Sequence, residues 1–271
     1  LNEDQQQVVN AVEAYLNARM PLSRLRERAA LPDSNAWWHE LAELGIFGMG
    51  LPESVGGVGF TEVEEVLVLN KLGQHLVSPN VMTTLLAGHM AAQAEQYDIL
   101  QEIMVGELRC SLAIETVPGR ERYWLTDYEP SFAVLTVGSS KMSLIPAGAV
   151  SVLEDRVSSF DESLCLTLAE LQTSGALISL AADASGLRTR IGLYFAAQLA
   201  SVAQSAASLA SEYAKVRVQF GKPIGSFQAV KHHCSNMAVA SDLAWTQTLL
   251  AANVVSKGRP DAGRQVAAAQ R

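Results

Sequence analysis

The periodicity of apolar residues changes character twice along this chain, and that order restricts the fold more than any other feature. Residues 1–107 read as helices, with apolar side chains recurring at three- and four-residue spacing. Residues 108–175 hold the only plausible strands, broken by Gly, Pro, Ser and Asp. From Ala176 the pattern is helical again and rich in alanine. The expectation is an α+β chain with a helical N-terminal domain (1–107), a short central β-domain (108–175) and a helical bundle (176–271).

The helical segments carry their own boundaries. Val8, Val9, Val12, Tyr15 and Leu16 predict a helix over 5–16. Pro32-Asp33-Ser34-Asn35 offers turn and cap residues before a helix from Ala36 to Leu44. Thr61, with Glu64 at capping-box distance, predicts a helix through Leu72 that Gly73 stops, and Pro79 precedes another over 81–94. Strands are expected at 108–114, 132–137, 142–145, 150–153 and 164–168. Long helices follow at 191–213 and 226–256, with many small residues that allow close helix approach in a bundle or a subunit contact. A last helix opens at Asp261 and meets no stop signal by Arg271, so the bundle is expected to be incomplete in this chain.

Bulk composition excludes several classes. An apolar content of 49% against 18% charged residues, with a mean hydropathy of +0.14, fits an ordered globular chain. A net charge of -8 argues against a general nucleic-acid surface. No apolar run is long enough to predict a membrane span, and Leu1-Asn2-Glu3-Asp4 lacks the pattern of a secretory leader, so a cytoplasmic protein is expected. Cys110, Cys165 and Cys234 lie far apart and read as ordinary thiols.

Residue by residue, few motifs suggest chemistry. The glycine-rich stretch from Gly48 to Gly59 lacks the lysine and hydroxyl ending of a phosphate loop and follows a helix, so it reads as a structural turn. His232-His233-Cys234 are adjacent on a helix and point in different directions; one histidine should face the bundle and the other solvent, which excludes a shared metal. Arg217 offers a rigid fork of donors suited to phosphate, although an isolated arginine is more often a surface or salt-bridged residue. Phe220 alone reads as core packing.

Three separated segments, in order, resemble the acyl-CoA dehydrogenase family. They are Leu41-Ala42-Glu43-Leu44-Gly45-Ile46 with Leu51-Pro52-Glu53-Ser54-Val55-Gly56-Gly57-Val58-Gly59; Leu69-Asn70-Lys71-Leu72-Gly73; and Arg217-Val218-Gln219-Phe220-Gly221-Lys222-Pro223-Ile224, continued by Phe227-Gln228. The resemblance implies an N-terminal helical domain, a central β-domain and a C-terminal four-helix bundle. It implies FAD, an acyl-CoA thioester oxidised between its α and β carbons, and an electron-transfer flavoprotein or similar acceptor. By the same resemblance Arg217 and Phe220 reach the pyrophosphate and adenine region of an FAD bound mainly by a neighbouring subunit, and Gln228 approaches the cofactor as well.

Departures from that pattern are equally specific. Cys110-Ser111-Leu112-Ala113-Ile114-Glu115 is similar to the strand that meets the flavin ring, but Ile114 stands where a threonine is usual and Thr116 replaces a proline. The Gly-Ser-Asp continuation is not recognisable after Pro118-Gly119, and too few residues separate Glu115 from the strand at Phe132 for the usual hairpins. Residues missing from that region are therefore expected, since a sheet with unpaired edges is a liability. One branch of the family carries its catalytic glutamate at a spacing from Arg217 that falls on Ile191, beside Arg190 and Gly192; none of these abstracts a proton. The commoner glutamate position would lie past Arg271. No catalytic residue is assigned, and Glu115, Asp161 and Glu162 read as ordinary exposed acids. These departures, with the stretch 132–175 including Ser159-Phe160-Asp161-Glu162-Ser163, resemble the actinobacterial steroid side-chain enzymes. That implies a steroid thioester and a second, unlike subunit in an α2β2 assembly. A homotetrameric dehydrogenase and a non-catalytic assembly subunit stand as alternatives.

Overall fold

The structure is a computed structural model that describes residues 1–30, 36–117, 121–157, 159, 161, 163–181 and 186–271. The expected turn at Pro32–Asn35, the Pro118-Gly119 step, Phe160 and Glu162 lie outside the described residues. In chain order the helices are α1 (Glu3–Arg19), α2 (Leu25–Ala30), α3 (Ala36–Glu43), α4 (Glu62–Gln74), α5 (Asn80–Gln93), α6 (Tyr97–Met104), α7 (Leu187–Val216), α8 (Gln228–Ser256) and α9 (Ala262–Ala269). The strands are β1 (Cys110–Glu115), β2 (Arg122–Thr126), β3 (Ala133–Val137), β4 (Lys141–Ile145), β5 (Val150–Val157), β6 (Leu166–Leu171) and β7 (Ile178–Ala181), followed by the two-residue strands β8 (Val218–Gln219) and β9 (Lys222–Pro223). Helix, then sheet, then helix is the order that the sequence led us to expect.

The chain divides into two compact units, one formed by residues 1–16, 62–76 and 192–271 and the other by 17–61 and 77–191. The first is helical. Val9, Val12 and Leu16 form the buried edge of α1. Gln5 Nε2 donates to Glu64 Oε1 at 2.7 Å, and Lys71 Nζ pairs with Glu13 Oε1 at 3.0 Å, which ties α1 along α4. Burial of each apolar side chain is worth about 2 kcal/mol and outweighs the exposed ion pair. Gly73, expected to stop α4, lies within it. A Cβ there would meet Ser201 Oγ of α7 at 2.0 Å, so the glycine serves close helix approach rather than termination.

The second unit carries a seven-stranded sheet in the order β5-β6-β2-β1-β3-β4-β7. Only β1 and β3 run parallel; the other neighbours are antiparallel. One face is packed around Ala113, Leu125, Phe132, Val134, Ile145, Ala169 and Leu171. Helix α5 is buried at every position from Asn80 to Ala91, the polar Asn80, Thr83, Thr84 and His89 included, and packs against β1 and α6. Several elements correct the sequence reading, among them the short helix α2 and the hairpin strands β8 and β9, which it did not include. β2 pairs with β1 and β6 where too few residues had been expected for a hairpin, and β7 occupies residues read as the start of the helical region. Their short runs lack a sustained alternation, and pairing with β6 and β4 decides them. α6 was missed because its burial rests on two residues, Leu100 and Ile103. The sheet edges are strand β5, interrupted by register shifts around Glu154, and the four-residue β7; both features discourage edge pairing.

Candidate cofactor-binding site

Arg217, Phe220 and Gln228 fall on one local construction in the first unit. Arg217 N closes the last turn of α7 on Tyr213 O at 2.9 Å, and the chain then forms a two-stranded hairpin with Val218 opposite Pro223 and Gln219 opposite Lys222. The two residues at the tip, Phe220 and Gly221, have φ of 52° and 75°. A turn with both central residues left-handed suits the twist of a tight hairpin, and glycine adopts it freely. A phenylalanine does so at a cost of about 1–2 kcal/mol. Yet Phe220 is 91% exposed, not part of the core that its residue type suggested. The residue thus combines a left-handed backbone with a ring open to solvent.

The hairpin is fastened to the start of α8. Ile224 N donates to Arg217 O at 2.8 Å. The rings of Phe220 and Phe227 meet edge to face with centroids 6.1 Å apart, and Lys222 Nζ lies 4.5 Å from the Phe227 centroid. Gln228 is the first residue of α8, and its Nε2 lies 3.3 Å from His232 Nε2. The charge is largely of one sign. Residues 213–241 contain Lys215, which pairs with Glu212 at 2.5 Å, together with Arg217, Lys222, Lys231, His232 and His233 and no Asp or Glu, in a chain that carries 28 acids against 20 Lys and Arg. A long helix begins within this stretch, with its unpaired N–H groups and positive dipole end. Such a patch favours a phosphate-bearing ligand. The acid-free run was visible in the sequence but was hidden by the negative total.

In the second unit, Ile114 of β1 stands beside Trp124 of β2, and Trp124 stands beside Leu168 of β6. The three share the face opposite the Ala113–Leu125 core, and Ile114 is 49% exposed. Trp124 and Leu168 are half-buried. The row is apolar where a hydroxyl donor had been usual, and Thr116 Oγ1 is spent on Arg122 O at 3.0 Å. Trp124 was not singled out from sequence because β2 itself was not recognised.

The proposed base positions hold no base. Ile191 is buried, and Gly192 sits where a Cβ would meet Val266 Cγ1 of α9 at 2.9 Å. Glu115 is exposed, and Asp161 Oδ1 accepts hydrogen bonds from Ser163 N at 2.9 Å and Ser163 Oγ at 2.7 Å, a local turn. His232 and His233 are both exposed, since α8 is open on every side over most of its first half; the expected inward-facing histidine is not there. Among the described residues no group of His, Cys, Asp or Glu is placed to hold a metal. Burial pushes the Cys110 thiol up to about 12, against a weaker opposing hydrogen bond with Thr84, which leaves it unreactive.

Comparison with known proteins decides the family. Residues 2–98 match the acyl-CoA dehydrogenase N-terminal domain, and residues 188–270 match the acyl-CoA dehydrogenase C-terminal domain. The chain belongs to the acyl-CoA dehydrogenase family. Acyl-CoA dehydrogenase FadE34 of Mycobacterium tuberculosis is 30% identical over 225 residues, which are 78% of this chain and 31% of that relative. The chain thus spans about a third of that acyl-CoA dehydrogenase's length, and 61% of IpdE2 from the same organism. The fold is that of a solved Tcur3481–Tcur3483 steroid acyl-CoA dehydrogenase variant, with a TM-score of 0.79 and 22% identity over 99% of this chain and 82% of the other. It is also that of the ChsE4–ChsE5 complex of Mycobacterium tuberculosis, with a TM-score of 0.76 and 24% identity over 100% of this chain and 82% of the other. Among the described residues no helix is long and apolar enough to cross a membrane.

Proposed function

We propose that this chain is a cytoplasmic, FAD-dependent acyl-CoA dehydrogenase subunit that introduces an α,β double bond into an acyl-CoA thioester, a steroid side-chain thioester by the likeness to the solved steroid enzyme. The observation that carries the reading is the strained, 91% exposed Phe220 on an acid-free, basic hairpin beside Arg217 and Gln228. In this reading Arg217 binds the FAD pyrophosphate, Phe220 stacks on the adenine, and Gln228 hydrogen-bonds the cofactor. When bound, FAD supplies the acceptor for the β hydrogen. The domain limits 1–107, 108–175 and 176–271 belong to the same proposal.

The need for an unlike partner subunit, in an α2β2 assembly that passes electrons to an electron-transfer flavoprotein, rests on two supports. Position 191, where one branch of the family keeps its glutamate, is a buried isoleucine. A chain of the ChsE4–ChsE5 complex, an assembly of two differently named proteins, has this fold. Recording the flavin absorbance of the chain purified alone and with candidate partners tests the proposal. Flavin acquired with a partner is the expected result, and its absence from every assembly would overturn the reading.

A further inference from the structure

The contact between Gln228 and His232 limits what the proposed site can present to a ligand. The two residues are four apart on α8, hence on one face, and both are exposed. The amide nitrogen of Gln228 lies 3.3 Å from the imidazole Nε2. An amide nitrogen only donates, so with the amide turned this way the ring nitrogen opposite it accepts and the ring proton sits on Nδ1. A proton on Nε2 would set donor against donor and reverse the amide. Nothing else in the described hydrogen bonds holds the Gln228 side chain, so the imidazole decides which end of the amide is free.

We propose that His232 is a positioning residue: it takes one N–H of the Gln228 amide and leaves the amide oxygen as the free acceptor at the start of α8. This rests on the cofactor reading of the hairpin and sharpens it. Arg217 supplies donors and suits phosphate oxygens, whereas the Gln228 oxygen suits an O–H or N–H of the same nucleotide, such as a sugar hydroxyl. The pair therefore selects a ligand that carries both kinds of group, and free pyrophosphate satisfies only the first. Lys222, Lys231 and His233 are the charged or titratable neighbours in the segment, and none is an acceptor for the amide when protonated.

The full chain, labelled with 15N in histidine and glutamine, tests the contact directly. His232 is expected to show an unprotonated Nε2 and a protonated Nδ1 in its neutral form. The Gln228 side-chain N–H signal should shift in His232→Leu and return in His232→Gln, whose amide oxygen accepts at the same reach. In FAD titrations of the chain assembled with the partner that confers flavin, His232→Leu should weaken binding about three- to tenfold, the worth of one neutral hydrogen bond, and His232→Gln should restore it. In a Gln228→Ala background, His232→Leu should change nothing further. An Nε2-protonated neutral ring, or additive losses in the double variant, would overturn the proposal. Arg217→Ala separates the two readings: FAD affinity unchanged by that substitution sinks the cofactor site, while the nitrogen signals still decide the amide contact.

Discussion

Gly73 of α4 and Ser201 of α7 approach so closely that a Cβ on residue 73 would lie 2.0 Å from Ser201 Oγ and 3.1 Å from its Cβ. The serine cannot simply swing away, because its Oγ donates to Gln198 O at 2.6 Å, and Gln198 Oε1 also lies 2.7 Å from the added carbon. Asn70 and Gln204 bridge the same two helices one turn further on at 3.1 Å. Gly73→Ala gains helix propensity of about 1 kcal/mol but forces the helices apart at a typical overpacking cost of about 1–3 kcal/mol. The expected result is a lower urea midpoint, partly restored by Ser201→Gly. A stabilised Gly73→Ala would show that the helices do not meet at this spacing.

Phe220 offers a case in which stability and function should separate. Its φ of 52° is a backbone state that glycine enters without strain. Its ring is almost wholly exposed, so little packing is lost on truncation. Phe220→Gly should therefore hold or raise the thermal midpoint, by up to about 1 kcal/mol of relieved strain. If the ring stacks on a cofactor, the same change should lower FAD retention about tenfold. Thermal unfolding and flavin occupancy, measured on one preparation, check both halves. Unaltered occupancy would remove Phe220 from the site.

Asn80 joins α5 to the strands through a buried set of polar groups. Its Oδ1 accepts from Thr126 Oγ1 at 3.0 Å, and its Nδ2 donates to Asp127 O at 3.0 Å. Thr126 Oγ1 in turn accepts from Leu112 N at 3.2 Å. With Asn80 at 2% exposure, Asn80→Leu would leave the Thr126 hydroxyl without its acceptor and the Asp127 carbonyl without this donor, for a loss of about 2–4 kcal/mol. Thr126→Val should cost a similar amount, about 2–4 kcal/mol, because Leu112 N loses its acceptor and Asn80 Oδ1 its donor. Denaturant unfolding of the two variants checks both losses, and a neutral Thr126→Val would show that the hydroxyl is not part of this network.

What the sequence made legible follows the strength of local pattern. The ends of α3, α5 and α8 agree with expectation to within two residues, because long apolar periodicity and Pro or Gly punctuation act within each segment. β2 and β7 were not legible. Arg122-Tyr123-Trp124-Leu125-Thr126 becomes a strand by pairing on both sides with β1 and β6, and Ile178–Ala181 by pairing with β4, where Ser143 and Ser179, for instance, are 36 residues apart. Gly73 misled for a related reason: a helix stop and a close helix crossing call for the same residue, and only the position of Ser201 separates them. At the candidate site the exposure of Phe220 was not legible, since its residue type reads as core and only the hairpin places it at a solvent-facing tip.

Asp127 supplies a pH-dependent element with a definite sign. Burial raises its carboxyl above the ordinary aspartate range, more than the hydrogen bonds donated by Ser78 Oγ at 2.6 Å and Cys165 N at 2.8 Å lower it; Asp161 adds to the rise and Arg156 opposes it. The folded chain therefore retains this proton at pH values where the unfolded chain has released it, and stability falls as pH rises through the window between the two values. Above the window the cost is constant. Asp127→Asn has no charge to bury, so its contribution is flat, but its amide nitrogen must face one of two donors and costs about 1 kcal/mol. The variant should be less stable than the parent at acid pH, and its deficit should shrink as pH rises from about 4 towards neutrality. Paired urea titrations across that range measure the difference, and a deficit that stays constant or grows would mean that the Asp127 carboxylate is stabilised, not strained, by its surroundings.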